Sequence, residues 1–535
     1  MLEALCVVCR KKRSIFGQKE KMGEYTMANT NWKAEMPAFR EKAAAFYAGE
    51  VKAGEYKGFS GKYGSYAQKG GKLSMLRLRM AGGRLTKERL AYIVDSIAKY
   101  QVTKVHATTC QTIQLHDLGL EAVCDIMEGA LDHNIIPMGG GGDFPRNIMC
   151  SPLSGVEQGE YFDVLPYAEA AGEYLLGFVN GEKMPRKLKV CFSSSPSNMP
   201  HATFRDLGFV AREDGKFDVY IAGGLGNNPK FGLKAAEGVD PSQVLVYVTA
   251  MRNTFIAHGN YEQRGKARTR YMQDTLGAEG LVKEFLQKVQ EAEASGQVPE
   301  LQIQAPVVSK QGSGAAPADK RVIAQKQEGL YTVCYHPIGG MIPPEKLGQI
   351  YEAIRDMEET EIRLAPDETM YVINLTGPEA AAVLQVTEDG AKTEFDYSVS
   401  CIGSTICQVG LRDSNGLLHT CVEAVREAGI PDGALPRIHI SGCPSSCGTH
   451  QIGAIGFNGS TKRTEDGPQP AFMLHLGGND RQGQERMGEQ LGAVLQKDVP
   501  AFLIEVGQAV AASGQSFAEW IADDSAFRQI AEKYI

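Results

Sequence analysis

The chain has 535 residues and a formal net charge of −8 at pH 7, with 43% apolar and 22% charged residues. This length exceeds one hydrophobic core, so about three domains are expected, and the acidic balance argues against a nucleic-acid binder. No apolar run reaches the roughly 18 residues of a membrane span, and 12 cysteines are too sparse for a secreted disulfide scaffold. The composition predicts a cytoplasmic globular protein with no membrane or nucleic-acid partner, in which clustered cysteines act as ligands.

The first residues, MLEALCVVCRKKR, place a short apolar stretch before a basic run, which is the reverse of a signal peptide. We predict that residues 1–32 form a disordered extension, or that the start codon is placed too early and translation starts at Met22 or Met27. Cys6 and Cys9 form a CxxC pair, but no second pair lies near them, so they are not expected to bind a metal.

Two parts of similar size lie on either side of residues 296–325, whose Gly, Ala, Pro, Ser and Gln content predicts a linker. The first part contains MLRLRMAGGRLTKERL and the second YTVCYHPIGGMIPPEKL, which share a Gly-Gly pair at an offset of 257 residues. Thr112 and Thr369 have the same offset. A further pair of blocks, PRKLKVCFSSSPSNMP and PRIHISGCPSSCGTH, follows in the same order, with Pro185 opposite Pro436. The chain is therefore predicted to be a duplication.

Each repeat is predicted to run strand, Gly-Gly turn, amphipathic helix and strand, followed by a second α/β unit. In the first repeat Leu90, Ile93 and Ile97 have helical spacing, and residues 105–115 alternate in polarity as one strand. Duplicated halves usually pack about a pseudo-twofold axis, so a cofactor at their interface would take ligands from both.

Four cysteines near the C-terminus indicate a metal site. Cys401 and Cys407 form C-x5-C, and Cys443 and Cys447 form C-x3-C. Structural zinc sites favour two to four residues between paired cysteines, so only the second pair fits zinc. The surrounding segments are rich in glycine and nearly uncharged, which suits an iron–sulfur cluster because backbone N–H groups can approach its sulfurs. Iron–sulfur cluster, zinc site and packed cysteines remain the three alternatives, in that order.

The same four cysteines, together with the segments TTCQTIQLH, PRNIMCSP and PRKLK in this order, resemble the assimilatory, ferredoxin-dependent sulfite and nitrite reductases. The resemblance covers roughly residues 60–535. It implies an α+β fold, a duplicated sulfite/nitrite-reductase fold with two ferredoxin-like half domains and two α/β sirohaem/cluster domains related by a pseudo-twofold. The implied domains are 60–140 and 326–392 for the half domains, and 141–295 and 393–535 for the α/β domains, the last carrying the cluster.

The resemblance also assigns expected roles to individual residues. The four cysteines would hold a [4Fe–4S] cluster, and Cys447 would also be the thiolate ligand of the sirohaem iron. The substrate, a small oxyanion, would be held by the cations Arg79, Arg146, Lys187 and Lys189. Contacts to the sirohaem are expected from Cys447, His106, Cys110, Gln111 and Arg77.

The chain departs from the family pattern at two of these positions. The family usually reads TTRQ where this chain has Cys110, and His106 stands where relatives often have another arginine. Because sirohaem carries many carboxylates, Arg77, Lys104 or Arg363 would have to replace the lost charge. Cys110 is either a small buried strand residue or a residue with a redox or haem-contact role.

The implied activity is a six-electron reduction, and the second lysine bears on the substrate. Sulfite is largely a dianion near neutral pH and nitrite a monoanion, so Lys189 favours sulfite reduction to sulfide, with nitrite reduction to ammonia as the alternative. A non-catalytic iron–sulfur or zinc protein is the competing class, but such a carrier needs no anion pocket. No nucleotide-binding fingerprint is present, so electrons are expected from a ferredoxin or a similar protein.

Overall fold

A computed structural model describes residues 31–304 and 306–535. Most of the predicted extension, with Cys6, Cys9 and both candidate start residues, lies outside the described residues. The extension was predicted to reach residue 32, but Trp32 opens the helical turn Trp32–Glu35 and its side chain is buried. Folded structure therefore begins at the end of that segment.

The first half domain packs four helices against an antiparallel sheet. Helix α3 follows the Gly-Gly turn, is capped by the Thr86 hydroxyl, which accepts the Arg89 amide at 3.3 Å, and buries Leu90, Ile93 and Ile97. The predicted helix is thus confirmed. The elements are α1 (Met36–Tyr47), α2 (Ala53–Ser60), β1 (Ser65–Ala67), β2 (Ser74–Arg79), β3 (Arg84–Leu85), α3 (Lys87–Tyr100), β4 (Lys104–Ala107), β5 (Thr112–Leu118) and α4 (Leu120–Ala130).

The prediction of one strand over residues 105–115 was wrong. The segment is a hairpin, in which β4 and β5 pair antiparallel with His106 opposite Gln114. A tight turn closes it, and Gln111 has a positive φ of 53° there. Alternating polarity continues through both strands, so the pattern alone does not reveal the reversal between them.

The first α/β domain has a five-stranded sheet in which β6, β7 and β8 are parallel and β9 and β10 antiparallel. Its elements are β6 (Met149–Cys150), α5 (Leu165–Leu176), β7 (Val190–Ser193), β8 (Leu207–Ala211), β9 (Phe217–Ile221), β10 (Leu233–Val239), α6 (Val244–His258) and α7 (Met272–Ser295). From the end of α7 to residue 321 the described residues contain no helix or strand.

The second half repeats both units in the same order. Its half domain comprises β11 (Val322–Ala324), β12 (Tyr331–Tyr335), β13 (Met341–Ile342), α8 (Lys346–Ile354), β14 (Glu361–Leu364), β15 (Met370–Leu375) and α9 (Gly377–Val386). Its α/β domain comprises β16 (Val399–Ser400), α10 (Ser414–Glu427), β17 (Ile438–Ser441), β18 (Ile455–Thr464), β19 (Gly467–Leu476), β20 (Glu489–Leu495), α11 (Val499–Ser513), α12 (Phe517–Trp520) and α13 (Ser525–Ala531).

The two half domains exchange a strand. The sheet orders are β1-β2-β5-β4-β13 and β11-β12-β15-β14-β3, so each sheet ends on a short strand from the other half. Both exchanged strands follow the Gly-Gly turns, where Gly82 and Gly339 have φ of 63° and 59°. One apolar core runs through both half domains, whereas each α/β domain has its own. The pseudo-symmetry predicted from the repeat is therefore confirmed.

Within the described part of the chain, no helix has both the length and the apolar character needed to cross a membrane.

Candidate active site

The turn between β4 and β5 contacts the second α/β domain. The Thr108 hydroxyl bonds the Thr112 hydroxyl at 2.8 Å and accepts the Cys110 amide at 3.2 Å, which fixes the shape of the turn. The Thr109 hydroxyl donates to the Cys447 carbonyl at 2.8 Å. A residue of the first repeat therefore holds the cysteine segment of the second, and Cys110 lies between them.

Three arginines converge on the backbone carbonyls of residues 138–142. Arg79, at the end of β2, donates to this segment and, at 3.0 Å, to the Arg146 carbonyl. Arg146 donates to two of its carbonyls at 2.7 and 3.0 Å, and Arg77 donates to one. Burial, Arg146 and Arg77 lower the pKa of Arg79 to about 9. Mutual repulsion of this kind is relieved when an anion binds nearby.

The two predicted pocket lysines lie just before β7, on either side of Leu188. Leu188, between the two lysines, is buried and pairs with Pro145 in an isolated parallel β-bridge. Because side chains alternate along extended backbone, both lysines point to the side opposite the buried Leu188. Lys189 Nζ donates to Cys110 Sγ at 3.4 Å. The structure therefore brings a lysine of the first α/β domain against the turn of the half domain.

Lys187 has a different environment. Burial lowers its pKa well below the ordinary value, and the neighbouring charges of Lys189, Arg268 and Arg146 lower it further. Within the described residues, no carboxylate lies within 4.0 Å of its ammonium group, the limit for an ion pair. A desolvated lysine without a counter-ion is a site for an anionic ligand and a ready proton donor.

Two further arginines belong to the same group of cations as Lys187 and Lys189. Neither arginine is part of a motif that could be recognised in the sequence. Arg268 donates to the Asp206 carboxylate at 2.9 Å, so that pair is neutral. Arg205 donates to the Pro200 carbonyl at 3.2 Å and lies 3.3 Å from His201 Nδ1. Arg205 is close enough to lower the pKa of Cys110, which identifies it as a pocket cation that sequence reasoning missed.

Gln111 and His106 lie in the interface between the half domains. Both amide atoms of Gln111 are engaged within the protein: Nε2 donates to the Leu364 carbonyl at 2.7 Å and Oε1 accepts the Cys150 amide at 2.8 Å. His106 is buried, with Nε2 at 3.7 Å from a carboxylate oxygen of Glu368. Neither side chain is brought to the cation cluster.

Two cations that the sequence suggested as replacements for the missing arginine are engaged elsewhere. Lys104 forms an exposed ion pair with Asp117 at 3.0 Å. Arg363 is buried against Glu361 at 2.6 Å. Of the three proposed replacements, only Arg77 lies with the pocket arginines.

The four cysteines lie on two loops that follow neighbouring parallel strands. β16 pairs with β17 in parallel, so the loops after their carboxyl ends share one edge of the sheet. The Cys401 amide donates to the Ile440 carbonyl at 3.1 Å, and the Gly442 amide donates to Cys401 Sγ at 3.1 Å. Backbone donors therefore already point at a cysteine sulfur, as they do around iron–sulfur clusters.

The thiols influence one another electrostatically. Burial raises the pKa of Cys401 to about 12, with a further contribution from Cys447. Cys447 is an exposed residue, but the protein that surrounds its sulfur raises the pKa of its thiol. The charges of Lys187 and Lys189 lower this pKa, whereas Cys443 and Cys407 raise it further. Cys447 is thus close both to the other cysteines and to the pocket lysines.

The residues fit the groups implied by the resemblance. Among the described residues, no three His, Cys, Asp or Glu side chains stand close enough together to hold a single metal ion. A [4Fe–4S] cluster is larger than one ion and takes four thiolates that stand further apart. The cations beside Cys447 suit a macrocycle with many carboxylates and a small anion.

Two family models match the chain. The model described as nitrite/sulfite reductase ferredoxin-like half domain matches residues 66–133, and the model described as nitrite and sulphite reductase 4Fe-4S domain matches residues 141–293. Over these two regions the chain is similar to the nitrite and sulfite reductase family. These enzymes are oxidoreductases with sirohaem and a [4Fe–4S] cluster, so the predicted enzyme class and cofactors are confirmed.

Curated members of the nitrite and sulfite reductase family align with most of the chain. A chloroplastic ferredoxin–nitrite reductase from Betula pendula is 26% identical over 80% of this chain and 74% of its own length. A ferredoxin–nitrite reductase from Synechococcus elongatus is 27% identical over 76% of this chain and 80% of its own length. A ferredoxin sulfite reductase from Mycolicibacterium paratuberculosis is 23% identical over 79% of this chain and 75% of its own length. The NirA protein of Mycobacterium tuberculosis has the same fold, with a TM-score of 0.76 and 22% sequence identity. The match covers 91% of this chain and 94% of the NirA chain.

Proposed function

We propose that this enzyme reduces a small oxyanion by six electrons, either nitrite to ammonia or sulfite to sulfide. The observation that carries this proposal is Lys187, a desolvated cation with no carboxylate partner in the described structure, beside Cys447 and Lys189. A protein that only carried electrons would have no use for a buried lysine without a counter-ion, because its charged form is costly unless a ligand compensates it.

Cys401, Cys407, Cys443 and Cys447 are the proposed cluster ligands, and Cys447 is also the proposed link to the sirohaem. When bound, the two groups supply electron transfer and an iron atom that binds the substrate. Arg79 and Arg146 then orient the oxyanion by fixed N–H donors. The lysines hold its charge and donate protons as oxygen leaves as water, a task for which the lowered pKa of Lys187 is suited.

Nitrite is the proposed principal substrate and sulfite the second candidate. Support for nitrite comes from the Betula and Synechococcus relatives, which are both ferredoxin–nitrite reductases. Support for sulfite comes from Lys187 and Lys189 together, because two cations suit a dianion, and from the name of the Mycolicibacterium relative.

The proposed electron donor is a ferredoxin or another small acidic carrier in the cytoplasm. The names of all three relatives include ferredoxin. A reducing compartment also suits four cysteines that must remain thiolates for cluster assembly.

The test is a comparison of kcat/KM for nitrite and sulfite with the same reduced donor. The proposal expects reduction of at least one anion to its fully reduced product, with nitrite preferred. A purified, cofactor-loaded protein that reduced neither anion would contradict the proposed function, and a preference for sulfite would reverse the order of the candidates.

A further inference from the structure

The two pocket lysines are not electrostatically equivalent. Lys189 Nζ donates to Cys110 Sγ at 3.4 Å, whereas no carboxylate or sulfur atom is bonded to Lys187 within the described residues. The contact joins two domains, because Cys110 lies in the β4–β5 turn and Lys189 immediately before β7.

Cys110 is surrounded by positive charge. Burial alone would raise the pKa of its thiol, but Lys189, Arg205, Arg77 and Lys187 lower it to about 6. The thiolate is therefore the expected form at neutral pH, and thiolates beside cations are stabilised in this way.

The net charge of the pair follows from its proton count. A thiolate beside an ammonium group and a thiol beside an amine hold the same number of protons, and both have a net charge of zero. Lys189 therefore adds no net positive charge to the pocket unless Cys110 is also protonated. Lys187 and Lys189 together then contribute one positive charge to the anion pocket rather than two.

We propose that Cys110 is a specificity-determining residue, whose pairing with Lys189 removes one positive charge from the anion pocket and favours singly charged nitrite over doubly charged sulfite. The inference rests on the proposed function. It also gives a role to the residue at which the chain departs from the TTRQ pattern.

The decisive comparison is between Cys110→Asn and Cys110→Asp, which have nearly the same shape and differ in charge. With Asn, no negative side chain offsets Lys189 when a bound anion favours its ammonium form, so the kcat/KM ratio of sulfite to nitrite should rise by about tenfold. With Asp, the pair stays neutral and the ratio should remain near that of the wild type. Equal ratios in the two variants would overturn the proposal.

Thiol chemistry provides a test that does not depend on turnover. In the cofactor-loaded wild type, alkylation of Cys110 by iodoacetamide, followed by peptide mass spectrometry, should slow as the pH falls through about 6. In Lys189→Gln the midpoint should move up toward the ordinary value of 9.0 for a thiol. An unchanged pH profile would show that Lys189 does not pair with Cys110, whether or not the enzyme reduces either anion.

Discussion

Cys447 occupies a position that none of the other cluster cysteines shares. It is the exposed member of the four, its carbonyl is held by Thr109 of the other repeat, and Lys187 and Lys189 lie near its sulfur. A thiolate at such a boundary could serve the cluster on one side and the sirohaem on the other. Its loss should therefore affect both cofactors.

Replacing Cys447 with Ser should remove the cluster and reduce the sirohaem content, because a hydroxyl is a poor ligand for iron–sulfur iron. We expect a large loss of iron and of the visible absorbance. Cys421→Ser is the matched control, since Cys421 is buried in α10 apart from the pocket. If Cys447→Ser retained wild-type iron content and spectrum while folding normally, the bridging assignment would be wrong.

At the scale of secondary-structure elements, both repeats have the same arrangement of strands and loops, but only the second repeat has the four clustered cysteines. The loops after β6 and β7 correspond to the cluster loops after β16 and β17. In the first repeat the Ser194 amide donates to the Ser151 hydroxyl at 2.9 Å, as the Gly442 amide donates to Cys401 Sγ in the second. The same backbone geometry thus presents a sulfur in one half and a hydroxyl in the other.

Sequence periodicity could predict what is local and repeated. The Gly-Gly turns and the helix after them follow from positions that recur at an offset of 257 residues, and the cysteine loops follow from the C-x5-C and C-x3-C spacing. The hairpin over residues 104–118 was missed because its turn has no glycine and is closed by Thr108 instead. Arg205 was missed because its role depends on its proximity to Cys110 of another domain, which no spacing encodes.

The cluster loop also has an apolar exposed face. Val409 and Leu411 are 62% and 55% exposed, directly after Cys407. Lys69 donates to the Ser404 carbonyl at 3.3 Å, Lys72 is exposed nearby in sequence, and residues 401–412 contain no acidic side chain. An apolar centre with a basic rim suits an acidic electron carrier, although the chain as a whole is acidic.

We expect Val409→Asp combined with Leu411→Asp to lower kcat/KM for a reduced ferredoxin by about tenfold, through lost apolar contact and charge repulsion. Activity with reduced methyl viologen, a small dye that needs no docking surface, should stay near wild type. Val307→Asp is the control, because Val307 is 88% exposed in the segment between the repeats. Equal losses with both donors would indicate damage to the cluster rather than to docking.

At the scale of the whole molecule, the exchanged strands tie the two halves into one unit. Arg84 of β3 lies opposite Arg363 of β14, and both donate to the Glu361 carboxylate, at 2.9 and 2.6 Å. Burial would raise the pKa of Glu361, but Arg363 and Arg84 hold it below its ordinary 4.5. One buried carboxylate thus bridges two arginines at the junction between the repeats, and Arg84 also lies 3.5 Å from the Glu169 carboxylate.

Replacing Glu361 with Gln should lower the free energy of unfolding by about 3 kcal/mol at pH 7, because it leaves the buried Arg363 without its carboxylate partner and Arg84 with only Glu169. Since the folded-state pKa is lowered, the stabilisation is present above pH 4.5 and is lost as the pH falls below that value. The difference between wild type and variant in urea midpoint should therefore shrink in acid. Glu352→Gln, which breaks only the exposed pair with Arg355, should change stability by less than about 1 kcal/mol. A difference between Glu361→Gln and wild type that stayed constant down to pH 3 would mean that the carboxylate charge does not hold the halves together.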